Sequence, residues 1–228
     1  MNTNDQVKKE IENFIENLES KHEILPFLYN MKKVGFDKSK DTVFYSGPYW
    51  DNAEIVAIFE TILRGKWVVS GEKVNKFQRQ FSKKFNHKES LMVNSGSSAN
   101  LIMLESLKKY YSWGKGDEII VSTVGFPTTI APLVQTGLKP IFVDVSMSDL
   151  NFDIDEIEKK ITNKTKGIFI SPVLGNPPDM DRLSLIASKY GIHLILDNCD
   201  SLGSKWDSKD LSDYCVASSC SFYPAHHI

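Results

Sequence analysis

The chain has 228 residues, 41% hydrophobic and 25% charged, an ordinary globular composition that allows one large domain or one domain and part of a second. Its 27 basic and 29 acidic residues give a formal net charge of −2, so no excess of positive charge indicates nucleic-acid binding. The polar N-terminus lacks the apolar core of a signal peptide, and no stretch approaches the roughly 18 apolar residues of a membrane span, so we expect a cytoplasmic protein without membrane contact.

Three helical patterns precede residue 90. Their apolar positions are Val7, Ile11, Phe14, Ile15 and Leu18; then Ile55, Ile58, Phe59, Ile62 and Leu63, ending near Gly65; then Val74, Phe77, Phe81 and Phe85. The segment 31–50 between the first two is rich in turn residues, which predicts a linker or arm.

From residue 91 onward, short apolar runs alternate with helical spacing. The predicted strands are Leu91–Val93, Ile119–Val121, Ile141–Val145, Gly167–Ile170 and Ile192–Leu196, and the predicted helices are Ser97–Tyr110, Pro127–Thr136, Ile154–Ile161 and Met180–Tyr190. This alternation predicts an α/β fold with a mostly parallel sheet and helices on both faces. In such sheets ligands bind at the carboxyl ends of the strands, so the residues that follow each strand are the candidates.

Two of these strand ends have features of a ligand site. The stretch "NSGSSAN" after the first run places Gly96 in a tight turn, with Ser97 and Ser98 at a helix N-terminus, where free N–H groups favour a phosphate. An ordinary serine N-cap explains the same residues. Phe126, in the loop after the second run, could stack on a planar ligand or be a core aromatic.

The fifth strand ends in "LILDNCD", which places Asp197 at the end of a buried run. A carboxylate there needs a cationic or hydrogen-bonding partner, and the ring nitrogen of a pyridoxal cofactor is one such partner. Helix capping or pairing with a nearby lysine is the alternative. The cysteines Cys199, Cys215 and Cys220 form no C-x-x-C pair, which predicts buried reduced thiols.

Several ordered segments together resemble a known family. They include "NSGSSAN", "FVDVSMSDLNFDIDEIEKKITNKTKGI", "GNPPDMD", "DNCDSLGS" and "SFYPAHHI". From about Gly47 to its end the chain resembles the DegT/StrS-type nucleotide-sugar aminotransferases, which are pyridoxal-phosphate enzymes of fold type I. The resemblance implies an N-terminal helix and arm over 1–46 and a cofactor-binding large domain over 47–228, incomplete at its C-terminal end, with the small C-terminal domain missing.

The last of these segments departs from the family motif at the position of greatest chemical consequence. The family pattern has a lysine, which binds the cofactor covalently, where this chain has His226. Imidazole cannot hold the cofactor in that way but is a general base near neutral pH. The resemblance therefore implies noncovalent pyridoxamine 5′-phosphate (or pyridoxal 5′-phosphate) and loss of the C3 hydroxyl of a 4-keto sugar, with His226 as the base. It also places Ser221 and Asp200 at the cofactor, Asp200 near the ring oxygen.

A subset of the family shares this histidine, and the chain most resembles its members that act on CDP-4-keto-6-deoxy-D-glucose in O-antigen synthesis. Those members carry a [2Fe–2S] cluster served by a partner reductase, and Cys199 matches the first cluster ligand. Cys215 and Cys220 match no known role. The resemblance further implies a homodimer and a nucleotide-sugar substrate.

Three alternatives stay open from the sequence. One is a cluster-free 3-dehydratase of GDP-4-keto-6-deoxymannose, in which Cys199 is an ordinary thiol. Another is an aminotransferase in which Lys205 or Lys209 serves, although both flank a polar stretch that predicts solvated side chains. The last is an inactive chain that only binds a partner.

Overall fold

A computed structural model describes residues 3–22, 35, 37–41, 52–65, 67, 69–224 and 226. The chain divides into two compact units, Met1–Gln80 and Phe81–Ile228. The domain boundary predicted between residues 46 and 47 lies outside the described residues and stays a prediction. Within the described residues, the helices are too short or too polar to span a lipid bilayer.

The first unit contains two helices that pack on each other, α1 (Thr3–His22) and α2 (Asn52–Arg64), and α3 (Glu72–Lys84) runs across the boundary. Ile11 and Ile15 of α1 and Val56 of α2 are buried together, whereas the predicted apolar face of α2 is largely exposed, with Ile62 63% and Leu63 66% accessible. As predicted, α2 ends at Gly65, whose N–H donates to the Thr61 carbonyl at 3.0 Å.

The second unit is a parallel α/β domain. Its helices are α4 (Gly96–Tyr110), α5 (Pro127–Gln135), α6 (Ile154–Lys160) and α7 (Met180–Tyr190), and its strands are β1 (Glu118–Ser122), β2 (Lys139–Val143), β3 (Thr165–Ile170), β4 (His193–Asp197), β5 (Lys205–Trp206), β6 (Lys209–Asp210) and β7 (Ala217–Ser219). Five strands form one sheet in the order β2-β1-β3-β4-β7, with every neighbouring pair parallel, while β5 and β6 form a short hairpin. These bounds confirm the predicted helices and the four strands predicted from Ile119 onward, to within a few residues.

Helices cover both faces of the sheet, as predicted. Alternate residues of one strand point to opposite faces, so Ile120 of β1 joins a core with α6 and α7, while Ile119 joins a core with α4 and α5. The chain visits β2 on one side of β1 and then β3 on the other. This reversal creates a switch point at the carboxyl edge, where ligands bind in open α/β sheets.

The predicted strand at Leu91–Val93 is wrong. These residues are extended without strand pairing, and Leu91 is 80% exposed. A strand exists only where a neighbouring strand accepts its hydrogen bonds. Among the described residues no strand lies beside this segment, so its apolar composition does not produce one.

Candidate functional site

Three segments separated in sequence meet at the carboxyl edge of the sheet: the start of α4, the start of α5 and the end of β4. Asn100 in α4 joins them, because its Nδ2 donates to Asp197 Oδ2 at 2.8 Å and to the Thr128 carbonyl at 3.2 Å. Asn100 is 1% exposed and Asp197 is 4% exposed, so this junction is desolvated. The structure therefore brings together the segments that follow the first, second and fifth predicted strands.

The start of α4 has the features of an anion site. Ser95 is the N-cap, and its Oγ accepts the Ser98 N–H at 3.1 Å. Ser97 Oγ donates to Thr128 Oγ1 at 3.0 Å, which ties the first turn of α4 to α5. The first turn contains no acidic side chain. The unpaired N–H groups and the helix dipole of this 15-residue helix therefore favour a bound anion.

Gly96 lies against the segments that follow β4 and β7. A Cβ atom at this position would come within 2.8 Å of Ser221 Cβ and 2.9 Å of Cys199 Sγ, closer than real contacts allow. Ser221 is itself buried, and its Oγ accepts the Tyr223 N–H at 3.2 Å. The absence of a side chain at Gly96 thus brings the start of α4 and the segments after β4 and β7 into contact.

Asp197 finds its partners among neutral donors rather than lysines. Its Oδ2 accepts from Asn100 and also from Thr129 Oγ1, at 2.7 Å. Its Oδ1 accepts the Cys199 N–H at 3.3 Å and lies 3.4 Å from Ser219 Oγ, whose proton is donated to Asn100 Oδ1. Oδ1 is therefore the less engaged of the two oxygens.

The residues that hold Asp197 were not among the candidates predicted from the sequence. Asn100 and Thr129 lie inside motifs singled out for other reasons, and Ser219 lies in a stretch with no assigned role. Ser219 Oγ donates to Asn100 Oδ1 at 2.6 Å, which fixes the orientation of the Asn100 amide. Polar residues at strand ends were the available signal, but their pairing depends on contacts between distant segments.

His226 is held beside the loop that follows β4. Its Nε2 lies 3.3 Å from Asp200 Oδ1, and its backbone N–H donates to the Tyr223 carbonyl at 2.9 Å. Its Nδ1 is buried and has no hydrogen-bond partner among the described residues. Phe126 caps α5 just before Thr128 and is 66% exposed, so it is not a core aromatic.

All three cysteines are free and partly buried. Burial, with a smaller contribution from the nearby Asp197 charge, raises the pKa of the Cys199 thiol well above its ordinary range. Burial likewise raises the pKa of Cys215 to about 12 and that of Cys220 to about 11. At all three positions burial therefore favours the neutral thiol over the thiolate.

The two lysines considered as cofactor-binding amines lie on the β5–β6 hairpin. Lys205 and Lys209 are both exposed, and the Nζ of Lys209 lies 5.6 Å from the centre of the Tyr214 ring. Because both side chains are solvated, neither has the desolvated environment that activates a lysine.

Solved structures with this parallel sheet place the domain in fold type I of the pyridoxal-phosphate enzymes, the class expected from the sequence. Within that class, the chain belongs to the DegT/DnrJ/EryC1/StrS aminotransferase family, whose model matches residues 50–228.

Several similar proteins are sugar 3-dehydratases. The chain is 38% identical over 187 residues to the dTDP-4-dehydro-2,6-dideoxy-D-glucose 3-dehydratase of Saccharopolyspora spinosa, covering 80% of this chain and 40% of that protein. It is 38% identical over 181 residues to the GDP-4-keto-6-deoxy-D-mannose 3-dehydratase of Yersinia pseudotuberculosis, covering 78% of this chain and 46% of that protein. The structure of the Escherichia coli GDP-4-keto-6-deoxy-D-mannose-3-dehydratase with bound hydrated PLP aligns with a TM-score of 0.76 at 37% identity, covering 81% of this chain and 48% of that one. The chain thus spans less than half the length of these relatives.

Proposed function

We propose that the chain is the cofactor-binding part of a pyridoxal-type 3-dehydratase that acts on a nucleotide-linked 4-keto-6-deoxyhexose. The observation that carries this proposal is His226, at the position of the family's lysine and held by Asp200 beside the junction of α4 and β4. The relatives named 3-dehydratases support the same reaction. Because the chain spans less than half of those relatives, the activity is proposed for the protein to which this part contributes.

The residues present fit a pyridoxal-type cofactor. The start of α4, with Ser97 and Ser98, would hold its phosphate. Asp197 Oδ1, the less engaged oxygen of a buried carboxylate, would hold its protonated ring nitrogen, since a buried charge needs an opposite charge or hydrogen bonds. Phe126, exposed at the same edge, would cover a ring face. Nδ1 of His226 is a buried polar atom without a hydrogen-bond partner among the described residues.

When bound, such a cofactor supplies an electron sink for charge that develops beside its ring. The chain's own residues supply binding and proton transfer. Asp197 keeps the ring nitrogen protonated because its carboxylate favours the cationic form. His226 accepts a proton at one ring nitrogen and, unlike lysine, does not retain the cofactor covalently.

The proposal has two variants, which differ in the nucleotide linked to the sugar substrate. The CDP-linked substrate expected from the sequence goes with a [2Fe–2S] cluster and a reductase. Among the described residues, no three His, Cys, Asp or Glu side chains are grouped to hold a metal, and the cluster stays a prediction from the resemblance. The GDP-linked variant needs none; the similar dehydratases are named for GDP-linked and for dTDP-linked sugars. O-antigen synthesis and homodimerisation stay predictions from the resemblance.

Cofactor binding by the 228-residue chain tests the proposal. We expect the wild type to bind pyridoxamine 5′-phosphate reversibly, detected by tryptophan fluorescence and equilibrium dialysis. Borohydride treatment with pyridoxal 5′-phosphate should leave residue 226 unlabelled in the wild type. It should label residue 226 in His226→Lys, which restores the family's lysine. Labelling of Lys205 or Lys209 in the wild type would instead support the aminotransferase alternative, and no affinity for either cofactor would support the inactive chain.

The reaction itself is tested with GDP- and CDP-linked 4-keto-6-deoxyhexoses in the presence of pyridoxamine 5′-phosphate, with mass spectrometry used to detect the dehydrated product. We expect His226→Asn to lose the product while its affinity for the cofactor stays within about threefold of the wild type, since the substitution removes a base and not a cofactor ligand. If the main effect of His226→Asn is loss of cofactor affinity, the base role is wrong.

A further inference from the structure

The two ring nitrogens of His226 have different environments. Nε2 faces Asp200 Oδ1 at 3.3 Å, while Nδ1 is buried without a hydrogen-bond partner among the described residues. Two further contacts restrain this residue, one through its backbone and one through its ring. Its backbone N–H is bonded to the Tyr223 carbonyl at 2.9 Å, and the Tyr223 ring meets the imidazole edge-on, with centroids 5.7 Å apart. The side chain is 20% exposed, so water reaches only part of it.

This asymmetry determines where a neutral imidazole carries its proton. An ionised carboxylate only accepts hydrogen bonds, so the nitrogen that faces Asp200 has to be the N–H donor. In neutral imidazole the other nitrogen, Nδ1, then has the lone pair. Buried polar atoms are nearly always hydrogen-bonded, and an exception often marks a functional atom.

We propose that Asp200 is a positioning residue that holds His226 in the Nε2–H tautomer and thereby makes Nδ1 the basic atom. The proposal rests on the proposed function only for the reaction in which this base takes part. It differs from the expectation that Asp200 contacts the cofactor's ring oxygen, because Asp200 here acts through His226. When Nδ1 accepts a proton, the ring becomes a cation with an N–H at both positions. The Asp200 carboxylate then stabilises that cation.

Nitrogen NMR of the 228-residue chain, labelled with ¹⁵N in the imidazoles of its five histidines, tests the proposal. The spectra are recorded over a series of pH values, and the tautomer is assigned where the nitrogen shifts of His226 show a neutral ring. The His226 signals are assigned by their loss in His226→Asn. In the wild type we expect the Nε2–H tautomer to dominate, with a downfield Nε2–H proton bonded to the carboxylate.

Asp200→Ala should lower the ratio of Nε2–H to Nδ1–H tautomer by about tenfold, because the negative charge 3.3 Å from Nε2, which favours a proton on that nitrogen, is lost. Asp213→Ala, which changes an exposed carboxylate on the turn before β7, should leave the ratio as in the wild type. Unchanged signals from the other four histidines in Asp200→Ala would show that the fold is intact. A tautomer ratio unaffected by Asp200→Ala overturns the proposal.

This measurement is independent of catalysis. If the chain binds no cofactor, the proposed function fails while the tautomer ratio still reports on Asp200. If Asp200→Ala leaves the ratio unchanged but His226→Asn still loses the dehydrated product, the base role holds and the positioning role of Asp200 is wrong.

Discussion

Gly96 is the residue whose size matters most to the candidate site. Alanine at this position would place its Cβ 2.8 Å from Ser221 Cβ and 2.9 Å from Cys199 Sγ. Alanine is the better helix former, but here the contact distances outweigh propensity, because overpacking of this kind costs about 1–3 kcal/mol. We therefore expect Gly96→Ala to lower the free energy of unfolding in urea by that amount and to weaken binding of pyridoxamine 5′-phosphate.

Gly125→Ala is the matched control. It lies in the loop before α5, and a Cβ there meets no atom within 4 Å. Its stability should differ from the wild type by less than about 0.5 kcal/mol, as at most surface positions. Equal urea midpoints for the two variants would mean that the start of α4 can move away from the segments after β4 and β7 at little cost. The packing there would then not require glycine at position 96.

Residue identity predicted candidates at strand ends and helix starts better than the contacts that join them. Ser97, Ser98 and Asp197 were predicted as candidates because each follows a strand or begins a helix, positions whose chemistry is local. Asn100 was missed because its importance lies in an amide that joins Asp197 to a residue 28 positions further along the chain. Its contacts exist only after the sheet has formed.

Among the elements, the amino ends of three strands are tied together by Glu118, the first residue of β1. The carboxylate is 5% exposed, and it accepts the Thr162 hydroxyl at 2.5 Å and the Lys139 ammonium at 3.0 Å. Lys139 begins β2 and Thr162 precedes β3, so one side chain joins the strands that flank β1. This junction lies at the sheet edge opposite the candidate site, and its role is therefore structural.

Stability should depend on pH through Glu118. The Thr162 hydroxyl, followed by Lys139, lowers the pKa of this carboxyl below its ordinary 4.5, even though burial opposes the shift. A depressed native pKa means that the ionised form stabilises the fold above the unfolded-state value and that this contribution is lost as the pH falls through the native value. Glu118→Gln should cost about 1–3 kcal/mol near neutral pH, measured by urea unfolding.

The difference between Glu118→Gln and the wild type should shrink as the pH is lowered below 4.5. Glu105→Gln, on the exposed surface of α4, serves as the control and should track the wild type at every pH. If the loss of stability in Glu118→Gln stays constant down to acid pH, the charge of the carboxylate contributes nothing to the free energy of unfolding. Only the shape of the side chain would then matter.

At the same scale, periodicity predicted the alternating elements from Ile119 onward but failed at Leu91–Val93. Strands β1, β3 and β4 are buried on both faces, so their continuous apolar runs stand out in sequence. Leu91–Val93 has the same composition, yet strand formation requires hydrogen bonds to a neighbour. That requirement is a property of the sheet and not of the segment.

The whole chain contains two units with very different amounts of buried apolar surface. In the described residues of 1–80, the core consists of Ile11, Ile15 and Val56, with Val7 and Ile55 packed against it. The second unit has a core on each face of its sheet. Ordering a residue costs roughly 1–2 kcal/mol of backbone entropy, so a helix pair with so small a core is weakly stable in itself.

We therefore expect α1 and α2 to open before the sheet. Native-state hydrogen exchange followed by mass spectrometry should show peptides from Thr3–His22 and Asn52–Arg64 exchanging at least about 100-fold faster than peptides from β1, β3 and β4, as for elements that open locally rather than globally. In low urea, helical circular dichroism should fall while the fluorescence of Trp113, 7% exposed in the second unit, stays native. Val56→Ala should accelerate exchange in both helices without changing exchange in the sheet. Two results would mean that the two units unfold together as one cooperative structure. One is equal protection of the helices and the sheet, and the other is that Val56→Ala leaves exchange in both helices unchanged.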